Sequence, residues 1–118
     1  MLLVEADIRF NTPEESGFSL PWDLNPKLIL RPAINLGGYF SSGTIIADKN
    51  TDKLIRGQTY RVLIELPLIF GEAYDDVRDV LKDGYVFDIN DGSHIVGAGQ
   101  IVGFIYEREK EESNGQRT

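Results

Sequence analysis

The sequence predicts an all-β fold, a small barrel or sandwich of six short strands with one inserted helix. Several segments alternate apolar and polar side chains with a period of two, which is typical of half-buried strands. Glycine-containing turns separate these segments, and a single segment places its apolar residues at helical spacing. A chain of 118 residues fits one domain with one core.

The clearest predicted strand is Leu2–Phe10, in which every second residue is apolar. Five further strands are predicted on apolar runs between turn residues, at 27–31, 39–47, 58–66, 85–89 and 95–106. Asp91-Gly92 indicates a hairpin between the last two of these strands. The glycines at 97 and 99 indicate either a bulge or a close approach of two backbones.

Residues 11–25 contain Pro13, Gly17 and Pro21, which predicts a long loop. Trp22 lies within it and has two interpretations. A tryptophan in a loop is often an anchor of a protein interface. It is equally often a plug that closes the open end of a barrel.

Residues 72–82 predict the one short amphipathic helix, with apolar residues at helical spacing and carboxylates between them. The carboxylates considered are Glu72, Asp75, Asp76 and Asp79. A solvated face is the favoured interpretation, and if this face has a function it is to meet lysine or arginine of a partner. Acid–base catalysis would require these groups to be buried or to face a cleft.

Composition excludes several classes of function. The formal charge of −7 repels phosphate backbones, and it either favours a basic protein partner or serves only to keep the domain soluble. The absence of cysteine excludes disulfides and thiolate chemistry and fits a cytoplasmic protein. The N-terminal residues lack the pattern of a signal peptide, and no segment has the apolar length of a membrane helix. The polar segment 107–118 is expected to be frayed or disordered, which leaves 1–106 as the domain.

The search for catalytic or metal-binding sets predicts no enzyme, no metal and no cofactor. Ser93 and His94 are neighbours in a strand, so their side chains point to opposite faces and form no catalytic dyad. The segment 48–59 begins like a calcium loop but has Lys53 where the loop needs glycine, so it predicts a surface turn. No glycine is followed by lysine, which excludes a P-loop for nucleotide.

Residues 87–102 (FDINDGSHIVGAGQIV) resemble, without a gap, the last hairpin of the C-terminal barrel domain of translation elongation factor Tu. The resemblance is most specific at Val96-Gly97-Ala98-Gly99, the tetrapeptide Val-Gly-Ala-Gly of that family. Residues 26–31 (PKLILR) and 62–66 (VLIEL) are similar to two earlier strands of the same domain, in the same order.

The resemblance implies a six-stranded antiparallel Greek-key barrel, with Gly92, His94, Gly97 and Gly99 at hairpin positions that match the family. In that family, this hairpin and the end of the second strand help to meet tRNA and the GTPase domain. Here Ser93-His94 replaces the family's Gly-Arg and Pro32-Ala33 replaces its Thr-Thr, which disfavours tRNA binding.

These observations predict a non-catalytic protein-binding module. Its contact residues would be Trp22 and the four carboxylates of the predicted helix. A sharper form of the hypothesis is an immunity or inhibitor protein that neutralises a basic partner. The alternative is a translation-associated domain that binds tRNA or another RNA, as the resemblance suggests.

Overall fold

The computed structural model describes residues 1–15, 17–26 and 31–107. It contains a short helix, α1 (Glu72–Val77), which a 3₁₀ turn at Arg78–Val80 extends. The strands in chain order are β1 (Leu2–Phe10), β2 (Ala33–Leu36), β3 (Tyr39–Ser42), β4 (Thr44–Ile46), β5 (Thr59–Leu66), β6 (Val86–Asp91) and β7 (His94–Tyr106). The predicted all-β class with one short helix is therefore confirmed.

All seven strands form one antiparallel sheet in the order β3-β2-β6-β7-β1-β5-β4, which curls into a half-barrel. The central strand β1 pairs with β5 on one side and with β7 on the other. Every second residue from Leu2 to Phe10 points into the curl and is buried, as the period of two predicts. Each such side chain contributes about 1.5–3 kcal/mol when it leaves water, so a one-residue slip of register is strongly disfavoured.

Gly43 links the two edges of the sheet. The chain on its N-terminal side, β3, pairs with β2, and the chain on its C-terminal side, β4, pairs with β5. A Cβ at Gly43 would lie 2.9 Å from side-chain carbons of both Ile64 and Leu66, so the backbone passes very close to the core here. The single strand predicted at 39–47 is therefore bent into two, β3 and β4.

The second strand lies later in the chain than predicted. Of the strand predicted at 27–31, residues 27–30 lie outside the described residues, and Arg31 is not in a strand. The strand β2 at Ala33–Leu36 was not predicted, because only four residues separate Pro32 from the turn at Gly37-Gly38. Both glycines of that turn have positive φ, 64° and 95°, as a tight β2–β3 hairpin requires.

The bulges of β7 lie at different residues from those predicted. In the pairing with β6, Ile89 faces Gly97 and Asn90 faces Ile95, so Val96 is the extra residue. A second shift occurs in the pairing with β1, between Glu5 and Ala6, and leaves Val102 as the extra residue. Gly97 and Gly99 are instead places of close approach, which was the other interpretation of these glycines.

The predicted helix at 72–82 is confirmed in position and is shorter than predicted. Val77 and Leu81 are buried, as their spacing implied, but the α-helical turn ends at Val77 and the backbone at Leu81, with φ of −81° and ψ of 84°, is no longer helical. No helix in the described part of the chain is long and apolar enough to cross a membrane. Of the predicted tail at 107–118, only Glu107 is described; its N–H donates to the carbonyl of Met1 at 3.1 Å.

Candidate binding surfaces at the two ends of the sheet

The candidate residues lie at two opposite ends of β1. At one end Leu2 faces Leu66 and Tyr106, and α1 follows β5 there. At the other end Phe10 faces Gly97, and the loop that contains Trp22 follows β1. We call the first the helix end, formed by Leu68, Phe70, Ile105 and α1, and the second the loop end, formed by Phe18, Trp22, His94 and Ile95. A nine-residue strand separates them by about 26 Å.

Hydrogen bonds to the sheet hold the loop at the loop end in place. The backbone N–H of Asn11 donates to the carbonyl of Val96 at 2.8 Å, and its side-chain amide donates to the carbonyl of Phe18 at 3.0 Å. Leu24 and Leu54 exchange backbone hydrogen bonds of 3.2 and 2.8 Å across an isolated bridge. These hydrogen bonds therefore attach described residues of the loop to β7 and to the segment at Leu54.

Arg56 is the main side chain that fixes the segment around Trp22. Its guanidinium donates to the carbonyl of Leu20 at 2.6 Å and to a carboxylate oxygen of Asp23 at 3.1 Å. Its backbone N–H donates to the same carboxylate oxygen at 3.0 Å. These two hydrogen bonds, the backbone one first, hold the pKa of Asp23 below its ordinary value of 3.8. Arg56 thus binds the chain on both sides of Trp22, at Leu20 and at the charged form of Asp23.

The two aromatic side chains of this loop face solvent. The side chain of Trp22 is 68 % exposed and that of Phe18 is 54 % exposed. Leu20 and Leu24, the residues two positions before and after Trp22, pack against the core instead. The plug interpretation of Trp22 is therefore wrong, because the leucines on either side of it cover this end of the core.

The hairpin tip contributes His94 to the loop end. Gly92 has φ of 62° and, with Ser93, forms the two-residue turn between Asp91 and His94, as predicted. The imidazole of His94 stacks on the ring of Phe18, with ring centres 3.8 Å apart and 17° between the planes. His94 thus contacts the loop.

Gly97 and Gly99 lie inside the sheet and not on a surface. A Cβ at Gly97 would lie 2.7 Å from the backbone oxygen of Arg9. A Cβ at Gly99 would lie 2.3 Å from Cζ of Phe87, the residue that faces it on β6. These two positions of the family-like tetrapeptide therefore exclude side chains for reasons of packing.

The four carboxylates of the predicted helix are exposed at the helix end. They are Glu72, Asp75, Asp76 and Asp79. Asp75 lies 3.7 Å from the guanidinium of Arg78, an exposed ion pair that adds little stability. None of the four is buried or paired with another carboxylate in a cleft, so acid–base chemistry has no support from their placement. They form a solvated face, which was the favoured interpretation.

Two apolar side chains beside α1 were not recognised in the sequence. Leu68 is 63 % exposed and Phe70 is 48 % exposed, although Ile69 between them is fully buried. In the sequence these three residues look like one apolar run, so the pattern alone could not show that two of them face solvent. Phe18 was missed for a related reason, because a single aromatic residue in a polar loop carries no periodicity.

The structure therefore brings Trp22 and His94 to one end and the four carboxylates to the other. No group of three histidine, cysteine or carboxylate residues is placed to hold a metal ion within 1–15, 17–26 and 31–107.

No protein-family model matches the chain, and no curated protein matches its sequence.

Proposed function

We propose that the chain is a non-catalytic protein-binding module of the cytoplasm, and that it docks a protein partner through the loop end. The observation that carries this proposal is the pair Trp22 and Phe18, both exposed on a loop that Asn11 and Arg56 hold by hydrogen bonds to the carbonyls of Phe18 and Leu20. Tryptophan is among the residues that dominate binding energy at protein interfaces. A fixed loop loses little conformational entropy when it binds, so more of the contact energy appears as affinity.

The charge of the chain supports a basic partner. A formal charge of −7 steers a basic protein toward the surface and keeps phosphate backbones away. An immunity or inhibitor protein that blocks a basic protein is the sharper form of this proposal. A relationship to the C-terminal barrel of elongation factor Tu is part of the proposal too, and it rests on the sequence motifs around Val96-Gly97-Ala98-Gly99.

The experiment is capture of partners from the native host on the immobilised chain, after nuclease treatment, with the bound proteins identified by mass spectrometry. The wild type is compared with Trp22→Ala, and the affinity of the captured protein is then measured with both purified chains. We expect one basic polypeptide in near-equal amount and a loss of about 2 kcal/mol, about 30-fold in Kd, for Trp22→Ala.

Val86→Ser is the matched control, because Val86 is exposed on the outer side of β6 and belongs to neither end. It should bind the partner as the wild type does. Equal affinity of Trp22→Ala and the wild type would contradict docking through the loop end. Capture of ribosomal proteins or translation factors that disappears on nuclease treatment would instead support the RNA-binding alternative.

A further inference from the structure

We propose that the helix end is a second docking surface, which binds a protein segment carrying a bulky apolar side chain flanked by lysine or arginine. The inference rests on the proposed function, since it also makes the chain a protein-binding module. It uses different residues, however, at the other end of β1, a strand about 26 Å long. The two surfaces can therefore be tested separately.

The centre of the helix end consists of apolar side chains that the core of the described chain does not use. Ile69 alone supplies the core contact of the turn that follows β5, since it is fully buried. Leu68 and Phe70 on either side of it face solvent, and Ile105 on β7 does so as well. Several exposed apolar side chains at one end of a sheet indicate an interaction site.

Contacts with the end of β7 fix this surface. The backbone N–H of Gly71 donates to the hydroxyl of Tyr106 at 3.0 Å, and the ring of Tyr74 stacks on the same tyrosine at 3.7 Å. The backbone N–H of Ala73 donates to the carbonyl of Phe70 at 3.1 Å. Phe70 is thus held between the sheet and the start of α1, and a partner would meet a surface that is already formed.

Carboxylates surround this apolar centre on the side of α1. Residues 72–83 contain five carboxylates and two basic side chains. Asp75 pairs with Arg78, whereas Glu72, Asp76 and Asp79 form no ion pair with the described residues. Charge complementarity therefore selects lysine or arginine around the apolar group of the partner. Nucleic acid and anionic membranes carry the wrong charge for this surface.

The consequence is that two partners can be bound at the same time. The helix end and the loop end lie at opposite ends of β1, so one partner does not cover the contact surface of the other. The chain would then connect a protein at the loop end with a basic segment at the helix end.

The experiment is a titration of the ¹⁵N-labelled chain with an amphipathic leucine–lysine helical peptide of about 14 residues. A peptide of the same composition but shuffled order is the reference, because it has equal charge and no apolar face. We expect shifts of amide signals at 68–77 and 104–107, and binding at least about 10-fold weaker for the shuffled peptide. The double variant Leu68→Ser/Phe70→Ser should weaken binding of the ordered peptide at least about 10-fold.

Asp76→Lys should weaken binding more at about 50 mM salt than at about 300 mM. Glu14→Lys is the matched control for charge and Val86→Ser the control for apolar area, because both residues are exposed and neither belongs to the helix end. Each variant is first checked for an unchanged unfolding midpoint. Equal binding of the ordered and shuffled peptides, or full binding by Leu68→Ser/Phe70→Ser, would overturn the inference.

The two proposals fail separately. If Trp22→Ala loses partner capture and no peptide binds at the helix end, the proposed function stands and this further inference fails. If the peptide binds at the helix end and Trp22→Ala captures the partner as the wild type does, docking through the loop end is contradicted and the second surface stands.

Discussion

Gly99→Ala should destabilise the sheet by about 3 kcal/mol, because the new methyl group would overlap the ring of Phe87. The built Cβ lies 2.3 Å from Cζ and 2.8 and 2.9 Å from the two Cε atoms of that ring. Ordinary contact begins near 3.4 Å, so the ring would have to move by about 1 Å in a close-packed core. Phe87 is buried, and complete expulsion of its ring sets an upper limit of about 5 kcal/mol.

A double variant tests this explanation. Leucine at position 87 has no Cε or Cζ atoms, so Phe87→Leu removes all three close contacts at a cost of about 1.5 kcal/mol. Gly99→Ala should then cost less than about 0.5 kcal/mol in the Phe87→Leu background, which is a coupling of more than about 2 kcal/mol. Urea unfolding of the four chains at one temperature measures the cycle. Additive effects, or a single Gly99→Ala variant as stable as the wild type, would refute the reasoning.

Two further predictions concern the same sheet and the loop beside it. Gly97→Val should lower the free energy of unfolding by more than about 3 kcal/mol, because its Cβ would lie 2.7 Å from the backbone oxygen of Arg9. A backbone oxygen cannot turn away as a side chain can. A Gly97→Val variant as stable as the wild type in urea unfolding would contradict this prediction. Asp23→Asn should lower the free energy of unfolding at pH 7, and the difference should vanish in acid. The folded pKa of Asp23 lies below 3.8, so its stabilisation is complete well above that pH and is lost as the pH falls through the lowered value. Urea unfolding between about pH 2.5 and 7 measures this, and a difference independent of pH would show that Arg56 does not act through the charge.

The sequence predicts the strands best where one face is fully buried. Every second residue of Leu2–Phe10 is apolar because β1 has a strand on each side and the core below it. The strand β2 was not predicted because four residues are too few for a period to be visible. The division at Gly43 was not predicted either, because a bend toward a new neighbour depends on Ile64 and Leu66, which are distant in sequence.

The sequence predicts which residues belong to the candidate surfaces, but it does not predict where those residues lie relative to one another. The composition around Trp22 and Asp75 marked each segment as a candidate, yet only the register of β1 with β5 and β7 shows that they lie at opposite ends. The exposure of Phe70 could not be predicted, because an apolar residue in a short turn has the same sequence signal whether it is buried or not. Specific hydrogen bonds, such as that of Arg56 with Leu20, have no periodic signal at all.

The position of β1 in the sheet has a consequence for synthesis of the protein. Leu2 faces Tyr106, so the first strand of the described chain cannot have both neighbours until β7 has left the ribosome. Pairing across such sequence distances makes folding slow, on the order of milliseconds to seconds, since the loop must close before the contacts form. Until then β1 has an unpaired apolar edge, which is the kind of segment that aggregates. Shortened chains that stop before residue 94 should therefore collect as insoluble material during expression, whereas the complete sheet has no such edge at β1.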